Sequence, residues 1–255
     1  VSKIKFFTKE YPVELPIRAR FAGMDSEAAF RKSLEEQPDD WEYRNKEVYY
    51  DINPQGFRTY DLDVVDWKDS IVLFGCSQVF GTGLAEEDTL AKQIEELVDV
   101  PVINLAVSGG SNDVTIANMS LLAMAGARPR AVVNFWTSPF RFSFFQEEDR
   151  KISTIGPWVE AGWAYAEEGE IDFAEAYYGY VNNCHFYEKL NLQRIQQNLI
   201  WRGVPTKVID ASFFLDVARS LEIDYIDRTD FARDLGHNGK DTTKRAAEYV
   251  VGKLV

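Results

Sequence analysis

The chain has 255 residues, 45% of them hydrophobic and 27% charged, with a formal net charge of −13. That length and mix suit an ordinary globular protein with one large α/β core or two small ones. The acidity argues against a phosphate backbone or an anionic membrane surface as partner. No apolar run approaches the roughly 20 residues that cross a bilayer. The first residues, Val1-Ser2-Lys3-Ile4-Lys5, carry no long apolar core and no small-residue cleavage site. Two cysteines, Cys76 and Cys184, do not make a disulfide framework. Together these features make a reducing cytoplasm the expected location.

Residues 1–68 read as a polar, aromatic-flecked extension packed on the core, and residues 69–255 as the main domain. Asp25 or Ser26 is placed to cap a helix through about Glu36, which Pro38 stops. Val48 to Arg58, VYYDINPQGFR, starts apolar and turns at Asn53-Pro54-Gln55-Gly56, so an extended segment or hairpin is expected.

From Ser70 a strand–helix alternation begins. Predicted strands are Ile71–Phe74, Val102–Ala106, Ala131–Trp136, Thr206–Asp210 and Asp224–Ile226. Predicted helices are one capped by Asp88 and running to about Val98, one capped by Ser111 or Asn112 and running to about Ala127, one from about Phe173 to Arg202, then Ser212–Leu221 and Thr242–Lys253. The pattern breaks at about 140–172. There Phe140–Phe144 alternates at period two and an acidic stretch carries Trp158, Trp163 and Tyr165, as in a lid or hairpin inserted over one end of the sheet. Five short strands alternating with helices predict a parallel sheet covered on both faces, an α/β three-layer sandwich with flavodoxin-like strand order.

Open parallel sheets do their chemistry at the carboxyl ends of their strands, so three loops matter. The first follows strand one and holds Gly75-Cys76-Ser77, with Gly81 and Gly83 behind it. The second is Asn104 to Gly110, NLAVSGG. The third, Asp234-Leu235-Gly236-His237, precedes the last helix. Acyl transfer needs a nucleophile, a base, a group that orients the base, and donors aimed at the developing oxyanion. Ser77 can serve as nucleophile and its own backbone N–H as one donor. Gly109 can present a second N–H. Of the two histidines, His237 has a carboxylate three residues away, Asp234, able to hold its tautomer, whereas His185 sits in a helical pattern beside Cys184 and reads as structural. Ser77 can also be a capping serine, His237 a surface histidine and Asp234 a solvated charge, readings that weigh less once the three stand in this arrangement.

In this order and placement the motifs resemble the SGNH, or GDSL-type, esterases and lipases. The G-D-S block of that family is matched by Gly75-Cys76-Ser77, its second glycine-bearing block by Asn104–Gly109, and its D-x-x-H block by Asp234–His237. Asn53–Arg58 is similar to a segment preceding the first block in some members. The resemblance spans roughly residues 48–250. It implies a flavodoxin-like fold and hydrolysis of an O-acyl ester on a carbohydrate or small acyl substrate, through a serine acyl-enzyme. It implies a triad of Ser77, His237 and Asp234, an oxyanion hole including the Ser77 and Gly109 N–H groups, and neither metal nor organic cofactor.

Two departures stand out. Cys76 replaces the acidic residue before the serine and reads as a small buried residue. The family's G-x-N-D block after the third strand is here Trp136-Thr137-Ser138-Pro139, so its amide donor is missing. Thr137 or Ser138 can offer a hydroxyl instead, and Asn112 can reach in from the second loop. Losing one such donor costs about 10²–10³ in rate. A catalytically weak or inactive binding module on the same fold is therefore the alternative, and a phosphate binder using helix N-termini a third. Phe142, Phe144, Phe145, Trp158 and Trp163 suit a substrate wall or the packing of the insertion on its own domain. Arg141 can bind an anionic substrate, but pairing with one of the many acids is the expected use.

Overall fold

A computed structural model describes residues 3–146, 148–158, 168–180 and 183–254. In chain order its strands are β1 (Thr8–Lys9), β2 (Ile17–Ala19), β3 (Tyr50–Ile52), β4 (Ile71–Phe74), β5 (Val102–Asn104), β6 (Ala131–Trp136), β7 (Phe142–Gln146), β8 (Lys151–Ile155), β9 (Lys207–Ser212) and β10 (Asp224–Tyr225). The α-helices are α1 (Glu27–Glu36), α2 (Ser77–Phe80), α3 (Leu90–Val98), α4 (Asn112–Met124), α5 (Glu168–Tyr180), α6 (Asn183–Ile200), α7 (Leu215–Leu221) and α8 (Lys240–Leu254).

Among the described residues, five parallel strands form the central sheet in the order β5-β4-β6-β9-β10. Numbered along the sheet's own strands this is 2-1-3-4-5, the flavodoxin-like order, whose switch point lies between the first and third strands. Those strands are β4 and β6, so the loops after Phe74 and Trp136 emerge side by side.

The sheet is buried on both faces, which explains its uninterrupted apolar strands. Ile71 and Leu73 of β4 point into one core with Ile94 of α3 and Ala246, Ala247 and Val250 of α8. Val72 and Phe74 point into the other with Met119 and Leu122 of α4 and Leu190 of α6. The period-two alternation of a strand divides its side chains between the two layers. The N-terminal residues contribute to both: Tyr43, Val48, Tyr50 and Ile52 to the first, Phe6, Phe7 and Phe57 to the second.

Several boundaries differ from the sequence reading for identifiable reasons. Ser26 caps α1, accepting from Ala29 N–H at 3.1 Å, as the pattern predicts. Thr89, not Asp88, caps α3; Asp88 instead pairs with Lys46. Ser111 caps α4, which stops at Met124. The turn at Asn53–Gly56 forms, with Gly56 N–H bonded to Asn53 C=O at 3.0 Å. The strand before it, however, pairs antiparallel with the distant β2 rather than folding into a local hairpin. The insertion is a hairpin of β7 on β8, extended by β1 from the N-terminus. The long helix expected over about 173–202 is seen as α5 and α6, on either side of residues 181–182, which lie outside the described residues.

Candidate active site

Strand β4 delivers Gly75-Cys76-Ser77 to the carboxyl edge of the sheet. Ser77 opens the one-turn helix α2, is 7% exposed, and has a first-turn N–H with no intrahelical acceptor. Two buried side chains hold this loop. Arg58 donates to the Gly81, Tyr49 and Leu84 carbonyls at 2.6, 2.9 and 3.0 Å and lies over the Tyr50 ring. Asn104, at the end of β5, donates to Val79 C=O at 3.0 Å and accepts from Ala106 N–H at 3.1 Å.

The second loop is tied to the first by Val107 N–H on Gly75 C=O at 3.1 Å. Gly109 has a left-handed φ of +79°, which glycine adopts without a Cβ penalty, and its N–H makes no hydrogen bond among the described residues. Asn112 does not reach freely into the site. Its amide donates to Thr137 C=O at 2.9 Å and accepts from Thr137 N–H at 3.0 Å, pinning the end of β6 to the start of α4. The Thr137 hydroxyl stands beside the Cys76 thiol, yet it is buried without a well-formed hydrogen bond. Ser138 is half-buried, its Oγ accepting from Phe140 N–H at 3.4 Å.

The third loop brings its acid and base into direct contact: His237 Nδ1 lies 2.5 Å from Asp234 Oδ2. Asp234 Oδ1 also accepts the Gly236 and His237 N–H groups at 3.2 and 3.1 Å. Burial pushes the Asp234 carboxyl up, but the His237 side-chain bond and charge, with those two N–H groups, outweigh it. The carboxyl lies below its usual range. The loop is fastened to the serine loop by Asn238 N–H on Gln78 Oε1 at 2.8 Å and Arg233 N–H on Gly83 C=O at 3.1 Å. Gly83, with φ +79°, is needed there: a Cβ would stand 2.8 Å from Ala232 Cβ and 3.2 Å from Asp234 Oδ1.

The N-terminal extension adds a brace that sequence reasoning missed. Asp25 and Arg233 form an ion pair with side chains 0% and 1% exposed, joined at 3.0 and 2.6 Å. The Tyr50 hydroxyl donates to Asp25 at 2.5 Å and accepts from Gly83 N–H at 2.7 Å. One network thus links the extension to both the serine loop and the Asp–His loop. A capping motif near Asp25 and a basic residue beside Asp234 gave no sign that the two meet, since 208 positions separate them.

Of the predicted triad, Asp234 and His237 are bonded, and Ser77 lies in the loop fastened to theirs. A hydrogen bond between Ser77 Oγ and the His237 ring is absent among the described residues. His185 lies on α6, its ring near Phe186. Phe142 and Phe144 pack on Phe173 of α5 with ring centroids 5.9 and 5.2 Å apart, and Phe145 on Phe7 at 4.9 Å. Packing on α5 therefore accounts for Phe142 and Phe144, and packing on the N-terminal extension for Phe145. Trp163 and Tyr165 lie outside the described residues. Arg141 departs from expectation: it pairs with no carboxylate among the described residues, and Nη1 donates to Gly110 C=O at 3.1 Å.

No protein-family model matches the chain, and no curated protein matches it. Among solved structures it is similar to TesA, at 12% identity over 73% of this chain and 99% of that one, with a TM-score of 0.45. It is similar at the same identity and TM-score to a putative G-D-S-L-family lipolytic protein from Desulfitobacterium hafniense, over 74% of this chain and 100% of that one. An acetyl xylan esterase from the rumen bacterium Butyrivibrio proteoclasticus is similar at 10% identity and a TM-score of 0.42, over 75% of this chain and 64% of the esterase. Likeness of this size says nothing about the reaction, which has to be argued from the residues themselves.

Proposed function

We propose that the protein hydrolyses an O-acyl ester, on a small-molecule or glycan substrate, through a serine acyl-enzyme. The observation that carries this reading is the buried Asp234–His237 contact on a loop fastened to the loop of Ser77. With Nδ1 held by Asp234, the imidazole keeps Nε2 to accept the Ser77 proton, the division of labour a triad requires. Ser77 Oγ attacks the ester carbonyl as His237 takes its proton, and His237 then returns that proton to the leaving alcohol. Water, deprotonated by His237, cleaves the acyl-enzyme by the reverse sequence.

The oxyanion donors in this reading are the Ser77 and Gly109 N–H groups and the Thr137 hydroxyl. A buried hydroxyl without a well-formed hydrogen bond is unfavourable, and an oxyanion would be a better acceptor than the thiol beside Thr137. Asn112 acts as a positioning residue, through its clamp on Thr137. Ser138 remains a candidate contact for the substrate.

The missing Ser77–His237 hydrogen bond and the missing third-block amide support a second reading, a binding module on the same fold. Catalytic hydrogen bonds are often long before substrate is bound, so the first reading is preferred. Hydrolysis of 4-nitrophenyl acetate and covalent labelling by a fluorophosphonate decide between them. Activity and labelling lost in both Ser77→Ala and His237→Ala are expected. A rate equal to background in all three proteins, without labelling, refutes the hydrolase.

A further inference from the structure

We propose that Arg141 forms a subsite beside Ser77 for a carboxylate carried by the substrate; this rests on the ester-hydrolase reading and names its substrate class. The protein is acidic, with 41 Asp and Glu against 28 Lys and Arg. Arg58, Arg130, Arg194 and Arg233 pair with carboxylates, whereas Arg44 and Arg128 bond backbone carbonyls instead. Arg141 is of the second kind, with no carboxylate partner among the described residues. Asp113, in the first turn of α4, is already engaged by Lys189 and Gln193, each at 2.7 Å, and by Ser111.

The guanidinium is also positioned. Nη1 is fixed on the carbonyl of Gly110, one residue past the proposed oxyanion glycine. The Trp158 ring lies 5.1 Å from the guanidinium carbon and shields one face from water. Arg141 itself is half-buried. Nε and Nη2 carry no acceptor among the described residues, which leaves an open edge of the planar fork that matches a carboxylate.

Its location is next to the reacting serine. Burial alone pushes the Cys76 thiol up, but the Arg141 charge, followed by contacts from Thr137, Gln78 N–H and Ser77, outweighs it, so the thiol lies below its ordinary value. The Gly110 that holds Arg141 donates its own N–H to Val107 C=O at 2.8 Å, and Val107 N–H bonds Gly75 C=O at 3.1 Å, two residues before Ser77. Partial desolvation without an anion is unfavourable for a cation, and a substrate carboxylate would relieve it.

The test compares 4-nitrophenyl hemisuccinate, which is anionic, with neutral 4-nitrophenyl acetate. The quantity read is the ratio of their kcat/KM values in the wild type, Arg141→Gln and Arg141→Lys, with melting temperatures measured alongside. A charge-assisted hydrogen bond is worth about 10–100-fold. The hemisuccinate-to-acetate ratio is therefore expected to fall by about that factor in Arg141→Gln and to recover in part in Arg141→Lys. An unchanged ratio overturns the proposal, whether both rates fall together, as for an oxyanion donor, or neither falls. A second measurement does not need turnover. Monomethyl succinate and dimethyl succinate are titrated calorimetrically into Ser77→Ala, with and without Arg141→Gln. Preferential binding of the mono-acid that disappears with Arg141→Gln supports the subsite even if no ester is hydrolysed, in which case only the hydrolase reading fails. Absence of that preference overturns the subsite itself.

Discussion

Replacing Asp25 by Asn tests whether the N-terminal brace holds the site together. The substitution keeps the shape of the side chain and removes its charge. Arg233, 1% exposed, would then keep one amide oxygen, the Arg20 carbonyl at 2.7 Å and the rings of Phe21 and Phe30 at 4.8 and 5.0 Å, but no counter-charge, and an NH2 donor would face one of its own N–H groups. Breaking one side of a buried ion pair costs about 3–5 kcal/mol, because the remaining charge stays desolvated. In a chain of this size about 2–4 °C of melting temperature corresponds to each kcal/mol, so the expected drop is roughly 6–20 °C. Thermal unfolding followed by circular dichroism reads it directly. Because Arg233 N–H also bonds Gly83 C=O, ester hydrolysis measured well below the new midpoint should fall too. The double variant Asp25→Leu/Arg233→Met, which removes both charges, should melt above Asp25→Asn. A loss under about 1 kcal/mol, the range of an exposed pair, would refute the claim that this pair bears on the site.

Asp234→Asn should lower kcat by about 10³–10⁴ while leaving the loop in place, since the wrong imidazole tautomer is favoured; steady-state kinetics on 4-nitrophenyl acetate check it. The same carboxyl lies below its usual range in the folded chain. Its stabilising contribution is thus fully present above the unfolded value of about 4 and is lost as pH falls through the lower folded value. The difference in unfolding free energy between wild type and Asp234→Asn, measured by urea titration, should shrink as pH drops below about 4; a difference growing in acid would contradict the depressed pKa. Gly83→Ala should cost both stability and activity, because φ is +79° and the new methyl meets Ala232 and Asp234. Gly109→Ala has the same φ but open space around the Cβ. It should cost only about 1 kcal/mol of backbone strain, and equal losses in the two variants by melting would argue against the packing account.

The two glycine loops and the D-x-x-H segment were readable because each is local. A strand ending in Gly75-Cys76-Ser77 and a carboxylate three residues before His237 sit within one turn of chain, and short-range spacing suffices to suggest their chemistry. The uninterrupted apolar run Ile71–Phe74 and the strand–helix alternation after Ser70 likewise announced a buried parallel sheet, because burial on both faces leaves no polar positions in the pattern. The cap of α3 was not local in this sense: the sequence places it at Asp88, but Lys46, 42 residues upstream, engages Asp88 and Thr89 takes the cap. Arg141 likewise pairs with no carboxylate among the described residues and bonds the Gly110 carbonyl instead, a contact that no spacing along the chain displays.

What the amino-acid order indicated by itself was the five strands of the central sheet with the helices between them, the loops that carry reactive groups, and a carboxylate three residues before His237. What only the tertiary structure decided was who stands across from whom. Asp25 meets Arg233, Tyr50 bridges to Gly83, Asn112 is consumed by Thr137, and Arg141 bonds Gly110 C=O with no carboxylate partner among the described residues. Hydrogen bonds and ion pairs act over a few ångströms, so contacts between segments a hundred or more residues apart exist only after the sheet has set the relative positions of their loops.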